Sequence, residues 1–300
     1  MSNRWWIYQK ERFPLAAHAP LIAAFSACAV SFSSLVAEAP VPGWKSYLVA
    51  FGVCLLMFLQ LRIADEFKDA QEDARWRPYR AVPRGLVTLP ELRIVFLLAA
   101  VIQVALAAWL DPRLLIVLGI AWAYLALMSV EFFCRDWLKA RPLVYLVSHM
   151  GIMPLVDFFA TACEWLPRAG KAPHGLGWFL AASFFNGIVI EFGRKLRQPA
   201  DEEEGVETYS ALWGKKKACL AWIAVLIATL GCAAMAALSV GFAVPVCAGL
   251  GVVLIVAAAL GRRYISGSLS GKRIEMLAGI WTLTLYLLLG LVPLWLHHHS

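Results

Sequence analysis

Five carboxylates fall within nine residues of this chain, Asp65, Glu66, Asp69, Glu72 and Asp73, and Arg75, Arg77, Arg80 and Arg84 follow at once. If the helix of the preceding apolar segment continues, Asp65, Asp69 and Asp73 stand at i, i+4 and i+8. Glu66 and Asp73, seven apart, share that face. Carboxylates stacked on one helix face repel one another unless a cation neutralises them. Hard oxygen ligands spread in this way suit Mg²⁺, which keeps several waters and shares its other positions with phosphate oxygens. The arginines downstream match a phosphate with their planar forks.

A solvated loop between two membrane helices would have a similar composition, so the weight falls on a second stretch of the same kind. It runs from Glu191 to Lys217, EFGRKLRQPADEEEGVETYSALWGKKK. Glu191 lies in apolar sequence, with Arg194 and Lys195 one turn on, and Pro199 predicts a helix end near Arg197. Asp201, Glu202, Glu203 and Glu204 then precede Gly205. Both stretches follow an apolar helix, which predicts two lips of one site. Inside apolar sequence, Glu131, His149, Asp157, Asn186 and Glu191 are functional candidates, because ionisable groups in hydrocarbon are costly. His149 and Asp157 are eight apart and predict a shared helix face, where one of them could orient an acceptor or take its proton. Pairing with neighbouring helices is the plainer alternative.

The elements that must position these residues are membrane helices. Of 300 residues, 61% are hydrophobic and 16% charged, and mean hydropathy is +0.69; soluble chains are about a quarter charged. Nine segments are long enough to span a bilayer core of ~30 Å: 14–37, 46–64, 93–110, 113–133, 142–163, 175–193, 218–239, 241–260 and 274–296. The Asp111–Pro112 junction could instead interrupt a single segment. Of the 27 Lys and Arg, 22 fall on the side of the N-terminus and of the two charged stretches. This split predicts a cytoplasmic N-terminus and a C-terminus outside; the expected location is a bacterial inner membrane. The split also explains the basic excess by topology and anionic lipid, without nucleic acid, and reads Lys215, Lys216 and Lys217 as topology determinants. The seven cysteines form no CxxC or Cys/His cluster and read as neither disulfides nor a metal site. Gly249 and Gly251 have no βαβ context and are no nucleotide fingerprint. The terminal HHHS is set aside as a tail.

Asp65-Glu66-x-x-Asp69-x-x-x-Asp73 resembles the NDxxDxxxD motif of the UbiA superfamily of intramembrane prenyltransferases. Asp69 and Asp73 match, while Asp65 stands at the Asn position and Glu66 at an Asp position. RPYRAVPRGLVTLPEL is similar to the family run after that motif, through Arg77, Pro78, Arg80 and Gly85. Gly205-Val206-Glu207-Thr208 matches the G-x-x-T of the second motif; Asp201 aligns with the second Asp of its DxxxD, and Arg197 occupies the first. Glu202 to Glu204, or Glu191, are the candidates to replace that carboxylate. Leu138-Lys139-Ala140-Arg141-Pro142 resembles a basic loop of the family.

The resemblance implies one membrane-embedded all-α domain over 1–300, with about nine transmembrane helices in a UbiA-type bundle. Its catalytic loops would fall at about 64–92, 134–141 and 194–217. It implies catalytic Asp65, Glu66, Asp69, Asp73 and Asp201, with Mg²⁺ on Glu66, Asp69, Asp73, Asp201 and Glu202. Diphosphate would be bound by Arg75, Arg77, Arg80, Lys139, Arg141, Arg194, Lys195 and Arg197. His149, Asp157, Asn186 and Glu191 are acceptor or cavity candidates. The implied partners are an isoprenyl diphosphate, membrane lipid and an unknown acceptor, aromatic or otherwise. The implied reaction ionises the diphosphate to an allylic cation in a dry cavity, with Trp122, Tyr124, Phe158, Phe159, Phe184 and Phe185 as candidates to face the cation or as ordinary packing. A terpene cyclase on the same scaffold, needing no acceptor, is the alternative chemistry. A transporter or lipid-binding protein is the alternative of another class, but it leaves two carboxylate clusters beside basic loops unexplained. The CDP-alcohol phosphotransferase signature is absent from the sequence.

Overall fold

The computed structural model describes residues 3–299, so the domain read over 1–300 extends by Met1, Ser2 and Ser300 beyond the described residues. Among these no strand occurs. Eight helices or broken helices among the described residues are long and apolar enough to cross a membrane, and Leu114–Ser129 is a shorter apolar ninth. The apolar windows therefore fold as helices, the form that satisfies every backbone group without water.

A short helix α1 (Arg4–Arg12) lies ahead of α2 (Leu15–Val36) and α3 (Trp44–Lys68), after which α4 (Ala70–Trp76) continues beyond a bend. The chain recrosses in α5 (Leu89–Leu110) and α6 (Leu114–Ser129), which are separate helices across Asp111–Pro112. At 16 residues, α6 spans roughly 24 Å. Thr88 and Glu91 form a reciprocal capping box that starts α5, and Arg4 bonds Glu91 at 2.6 Å. This ties α1 across the charged end of the bundle, where Tyr8 packs with Ile63 and Leu92 in a small second core.

The span expected at 142–163 is broken. The short α7 (Arg135–Lys139) leads into α8 (Pro142–Met150), and α9 (Ile152–Ala169) follows after Gly151. A Cβ at Gly151 would overlap the Tyr124 ring, whose hydroxyl donates to the Ser148 carbonyl at 2.5 Å. The second half holds α10 (Leu176–Arg194), α11 (Tyr209–Trp213), α12 (Lys215–Leu238), α13 (Ala243–Ile265), α14 (Gly271–Leu289) and α15 (Leu291–His299). The segment expected at 274–296 starts earlier and breaks at Gly290, where a Cβ would overlap the Cys28 backbone. Lys215 to Lys217 form the first turn of α12 rather than a loop.

Packing joins two halves. α3 packs on α2, α5 and α9, while α10 packs on α12, α14 and α9; α14 returns to α2. Buried apolar residues from both halves form one large core. The end where α3 stops, α8 starts and α10 stops collects the charged residues.

Candidate active site

Asp65 lies on the last turns of α3, 3.5 Å from Arg62 and 3.9 Å from Lys68. Asp69 sits at the bend between α3 and α4. The Asp73 amide still bonds the Asp69 carbonyl at 2.8 Å, so the helical succession of the three aspartates survives the bend. Asp73 is buried and accepts from Arg77 at 3.0 Å and Arg80 at 2.7 Å. The run after the carboxylates thus folds back over them. Asp69 is half-buried, and among the described residues no hydrogen bond or ion pair reaches its carboxylate. Burial pushes that carboxyl above the usual aspartate range; Asp65, Asp73 and Glu72 add to the rise, and Lys68 opposes it.

Glu66 differs from its two aspartate neighbours. It is buried and paired with the Arg12 guanidinium of α1, the kind of partner a carboxylate needs out of water. The spacing predicts a face shared with Asp73, but Glu66 meets Arg12 of α1 while Asp73, beyond the bend at Asp69, meets Arg77 and Arg80. Glu72 turns to α7, accepting from Lys139 at 2.5 Å and Arg135 at 3.3 Å. The Lys139 bond holds the Glu72 carboxyl below its usual range. A cleft of about 490 Å³ opens here, lined by Phe67, Lys68, Gln71, Glu72, Arg135 and Lys139 among others. Arg75 and Arg141 stand apart, each exposed over a tryptophan ring: Arg75 over Trp76 at 4.6 Å, Arg141 over Trp137 at 4.5 Å.

The second stretch meets the first. Arg194 and Lys195 each approach Glu191 at 3.0 Å at the end of α10. Arg197 donates to Glu203 at 3.1 Å and to the Asp201 carbonyl at 3.3 Å. The other Glu203 oxygen accepts from the Tyr79 hydroxyl at 2.8 Å, a bond that holds the Glu203 carboxyl low. Gly205 has φ +74° and lies against the Trp76 ring, where a Cβ would collide with the indole. The two lips expected from sequence are therefore in contact. Thr208 Oγ1, 2.7 and 2.8 Å from the Glu202 oxygens, donates to that carboxylate and accepts from the Ala211 amide at 3.1 Å. Asp201 is exposed, on the single turn Pro199–Asp201.

His149 and Asp157 do not share a surface, because the break at Gly151 separates their helices. Asp157 is buried between helices and accepts from Tyr286 at 3.0 Å, and Asn186 accepts from Thr282 at 3.1 Å. Both tie α9 or α10 to α14, the plainer of the two readings. His149 Nε2 faces Glu131 at 3.1 Å, and the other Glu131 oxygen accepts from Tyr145 at 3.1 Å. Lys68 donates to the Tyr145 hydroxyl at 2.9 Å. Lys68, Tyr145 and Arg62 are the members that sequence reasoning passed over; the i, i+4 spacing of Tyr145 and His149 was the available signal. The six aromatics pack with neighbours: Trp122 donates to Gln103 at 3.2 Å, Phe159 is buried, Phe158 lies 5.6 Å from Trp165, and Phe184 lies 5.4 Å from Phe185.

Among the described residues no three His, Cys, Asp or Glu side chains converge as a preformed metal site. The donor chemistry nevertheless fits a divalent cation at Asp69, a carboxylate crowded by three others and neutralised by no ion pair.

Comparison with curated proteins gives no match. Among solved structures, the apo structure of a UbiA homolog from Aeropyrum pernix K1 superposes with a TM-score of 0.69 at 15% identity, covering 88% of this chain and 94% of that one. Such a likeness bears on the fold. The model of the UbiA prenyltransferase family matches residues 24–283. With the match spanning most of the chain and all three charged loops, this integral membrane protein belongs to the UbiA prenyltransferase family.

Proposed function

We propose that this chain ionises an isoprenyl diphosphate at the charged end of its bundle and transfers the prenyl group to an acceptor within the membrane. Family membership implies prenyltransferase-type activity. The meeting of the two charged stretches, at Tyr79–Glu203 and Trp76–Gly205, is the observation that carries the finer reading. It puts Asp69, Arg77 and Arg80 on one lip and Arg197 and Asp201 on the other.

In this reading Asp69 and Asp73, with Asp65 beside them, hold Mg²⁺, and the exposed Asp201 complements them from the second lip. Bound Mg²⁺ supplies Lewis-acid stabilisation of the leaving diphosphate. Arg77 and Arg80 exchange from Asp73 onto the diphosphate, since a guanidinium fork suits either oxyanion. Lys139, Arg194, Lys195 and Arg197 add positive charge around the leaving group. Glu66 serves instead as the anchor of α1 through Arg12, Glu202 is committed to Thr208, and Arg75 and Arg141 stay at the rim. The closely packed helices exclude water from the allylic cation. The chain acts as one domain over 1–300, in a bacterial inner membrane, with the charged end and N-terminus in the cytoplasm.

The test is diphosphate release from purified protein given geranyl, farnesyl or geranylgeranyl diphosphate with Mg²⁺ and no acceptor, with products identified by mass spectrometry. Binding with turnover only after a candidate acceptor or cell extract is added supports the transferase. A cyclic hydrocarbon or terpene alcohol formed without acceptor supports the cyclase instead. Neither binding nor turnover, with longer prenyl donors included, would overturn both and favour a transporter or lipid-binding role.

A further inference from the structure

Behind the cleft lined by Lys68 lies a buried group that diphosphate ionisation leaves unused: Glu131, Tyr145 and His149. Its backbone is strained. Glu131, Phe132 and Phe133 all have left-handed φ values of +51°, +51° and +60°, a conformation costly for residues other than glycine. This turn delivers the Glu131 carboxylate, 3% exposed, to Lys68, Tyr145 and His149.

The hydrogen bonds constrain the protons. His149 Nδ1 lies 2.8 Å from the Tyr145 carbonyl, which can only accept, so Nδ1 carries a proton. In a neutral ring Nε2 then presents a lone pair, and it faces a Glu131 oxygen at 3.1 Å. Two lone pairs at that distance repel, and one added proton turns the contact into a charge-assisted bond. The pair is built to take up one proton. On the other Glu131 oxygen, Tyr145 donates at 3.1 Å while its own oxygen accepts from Lys68 at 2.9 Å. The Lys68 ammonium, 3.5 Å from Glu131, opposes permanent protonation and stabilises charge passing through the phenol. Asp65 beside Lys68 on α3 is the other charged group on that side, and the Phe132 ring closes the site at 5.9 Å from His149. Tyr145 is half-buried, whereas Glu131 and His149 are buried, so it is the most exposed of the three.

Resting on the transferase reading, we propose that Tyr145, Glu131 and His149 form the proton outlet of the acceptor, and that the acceptor is therefore a protic nucleophile of the alcohol or phenol class. As the acceptor oxygen bonds to the prenyl C1, the C1–O bond to diphosphate breaks with its electron pair leaving on diphosphate. The acceptor proton passes to the Tyr145 oxygen and the Tyr145 proton to Glu131 Oε1; the neutral carboxyl then turns to present that proton to His149 Nε2, where it comes to rest. Tyr145 is the group that meets the acceptor; Glu131 and His149 act through it as positioning residues.

The test compares wild type with Tyr145→Phe, Glu131→Gln and His149→Gln, using whichever prenyl diphosphate the wild type turns over. Phenol and 4-nitrophenol, the latter largely ionised at pH 8, serve as acceptors; water is the protic acceptor if neither is used. With the protic acceptor, kcat should fall ~100-fold in each variant while KM for the prenyl diphosphate stays unchanged. The acid limb of the pH–rate profile should vanish with it. The pre-ionised nitrophenolate should restore near wild-type rates, a rescue that a merely structural role would not produce. Equal losses with both acceptors, or undiminished kcat with phenol or water, would overturn the proposal. A wild type inert towards every prenyl diphosphate refutes the transferase reading itself, and the pair is then judged by ¹⁵N spectra of labelled histidine. A His149 ring that keeps Nδ1–H with a bare Nε2 near neutral pH and gains the Nε2 proton on acidification, at a lower pH in Glu131→Gln than in wild type, sustains the proton pair, and the same titration in both proteins removes it.

Discussion

Asp69 and Asp73 sit one helical turn apart in opposite electrostatic states. Asp73 is buried under two guanidinium groups, whereas Asp69 is crowded by carboxylates and has no ion pair among the described residues. Replacing either by Ala should lower diphosphate release by roughly 100- to 1,000-fold, with helical content unchanged by circular dichroism. The two should separate in stability. The raised Asp69 carboxyl means that the folded chain binds a proton where the unfolded chain has released it. Stability therefore falls as pH rises from the ordinary aspartate range, about 4, through the raised folded value. Asp69→Asn should accordingly raise Tm at neutral pH, with the gain fading towards about pH 4, and should abolish any stabilisation by added Mg²⁺. A thermal-shift titration reads all three. Asp73→Asn should lower Tm, because it strands Arg77 and Arg80 beside a neutral group. On the facing lip, Arg197 bonds Glu203, which in turn holds Tyr79. Arg197→Asp restores the family residue but sets two carboxylates together there, and it should raise KM for the prenyl diphosphate about tenfold, ~1.4 kcal/mol. An unchanged KM would mean that the Arg197–Glu203 contact does nothing for binding.

At the scale of elements, the site depends on α4 meeting the loop before α11. Gly205 permits that contact twice over, by its left-handed φ and by the absence of a Cβ where the Trp76 indole sits. Gly205→Ala should displace the second lip and cut turnover roughly tenfold or more, as small misplacements of catalytic groups do, while leaving the Tm of the bundle unchanged. Adding Trp76→Leu should recover part of the loss by making room, though the φ strain persists. Failure of the double variant to recover any activity would assign the whole effect to backbone strain. The breaks at Gly151 and Gly290 are element-scale features as well, each set where a Cβ would meet another chain segment.

At the scale of the whole molecule, α9 packs on α2, α3 and α10, and α14 packs on α10 and back onto α2, which joins the two halves. Nine crossings among the described residues, the eight long apolar helices and the short Leu114–Ser129, would put the two termini on opposite sides. A reporter fused after His299 should therefore report from outside the cytoplasm, and one fused before Arg4 from inside; reports from the same side would show that Leu114–Ser129 does not cross.

Helical class, span positions to within a few residues and the two charged lips were legible in the sequence alone. Apolar length and Lys/Arg asymmetry are local properties that a bilayer reads directly, and aspartates at i, i+4 and i+8 keep their succession in any helix. Which carboxylate stays unpaired was not legible. Asp69, Glu66 and Asp73 are chemically alike, and only the docking of α1 gave Glu66 to Arg12 while the turn after α4 gave Asp73 to Arg77 and Arg80. The separation of His149 from Asp157 likewise hangs on Tyr124 filling the space beside Gly151, and the convergence of Lys68, Glu131, Tyr145 and His149 on a strained turn. Partner choice among like charges is decided by contacts between residues distant in the chain, and no local pattern encodes those.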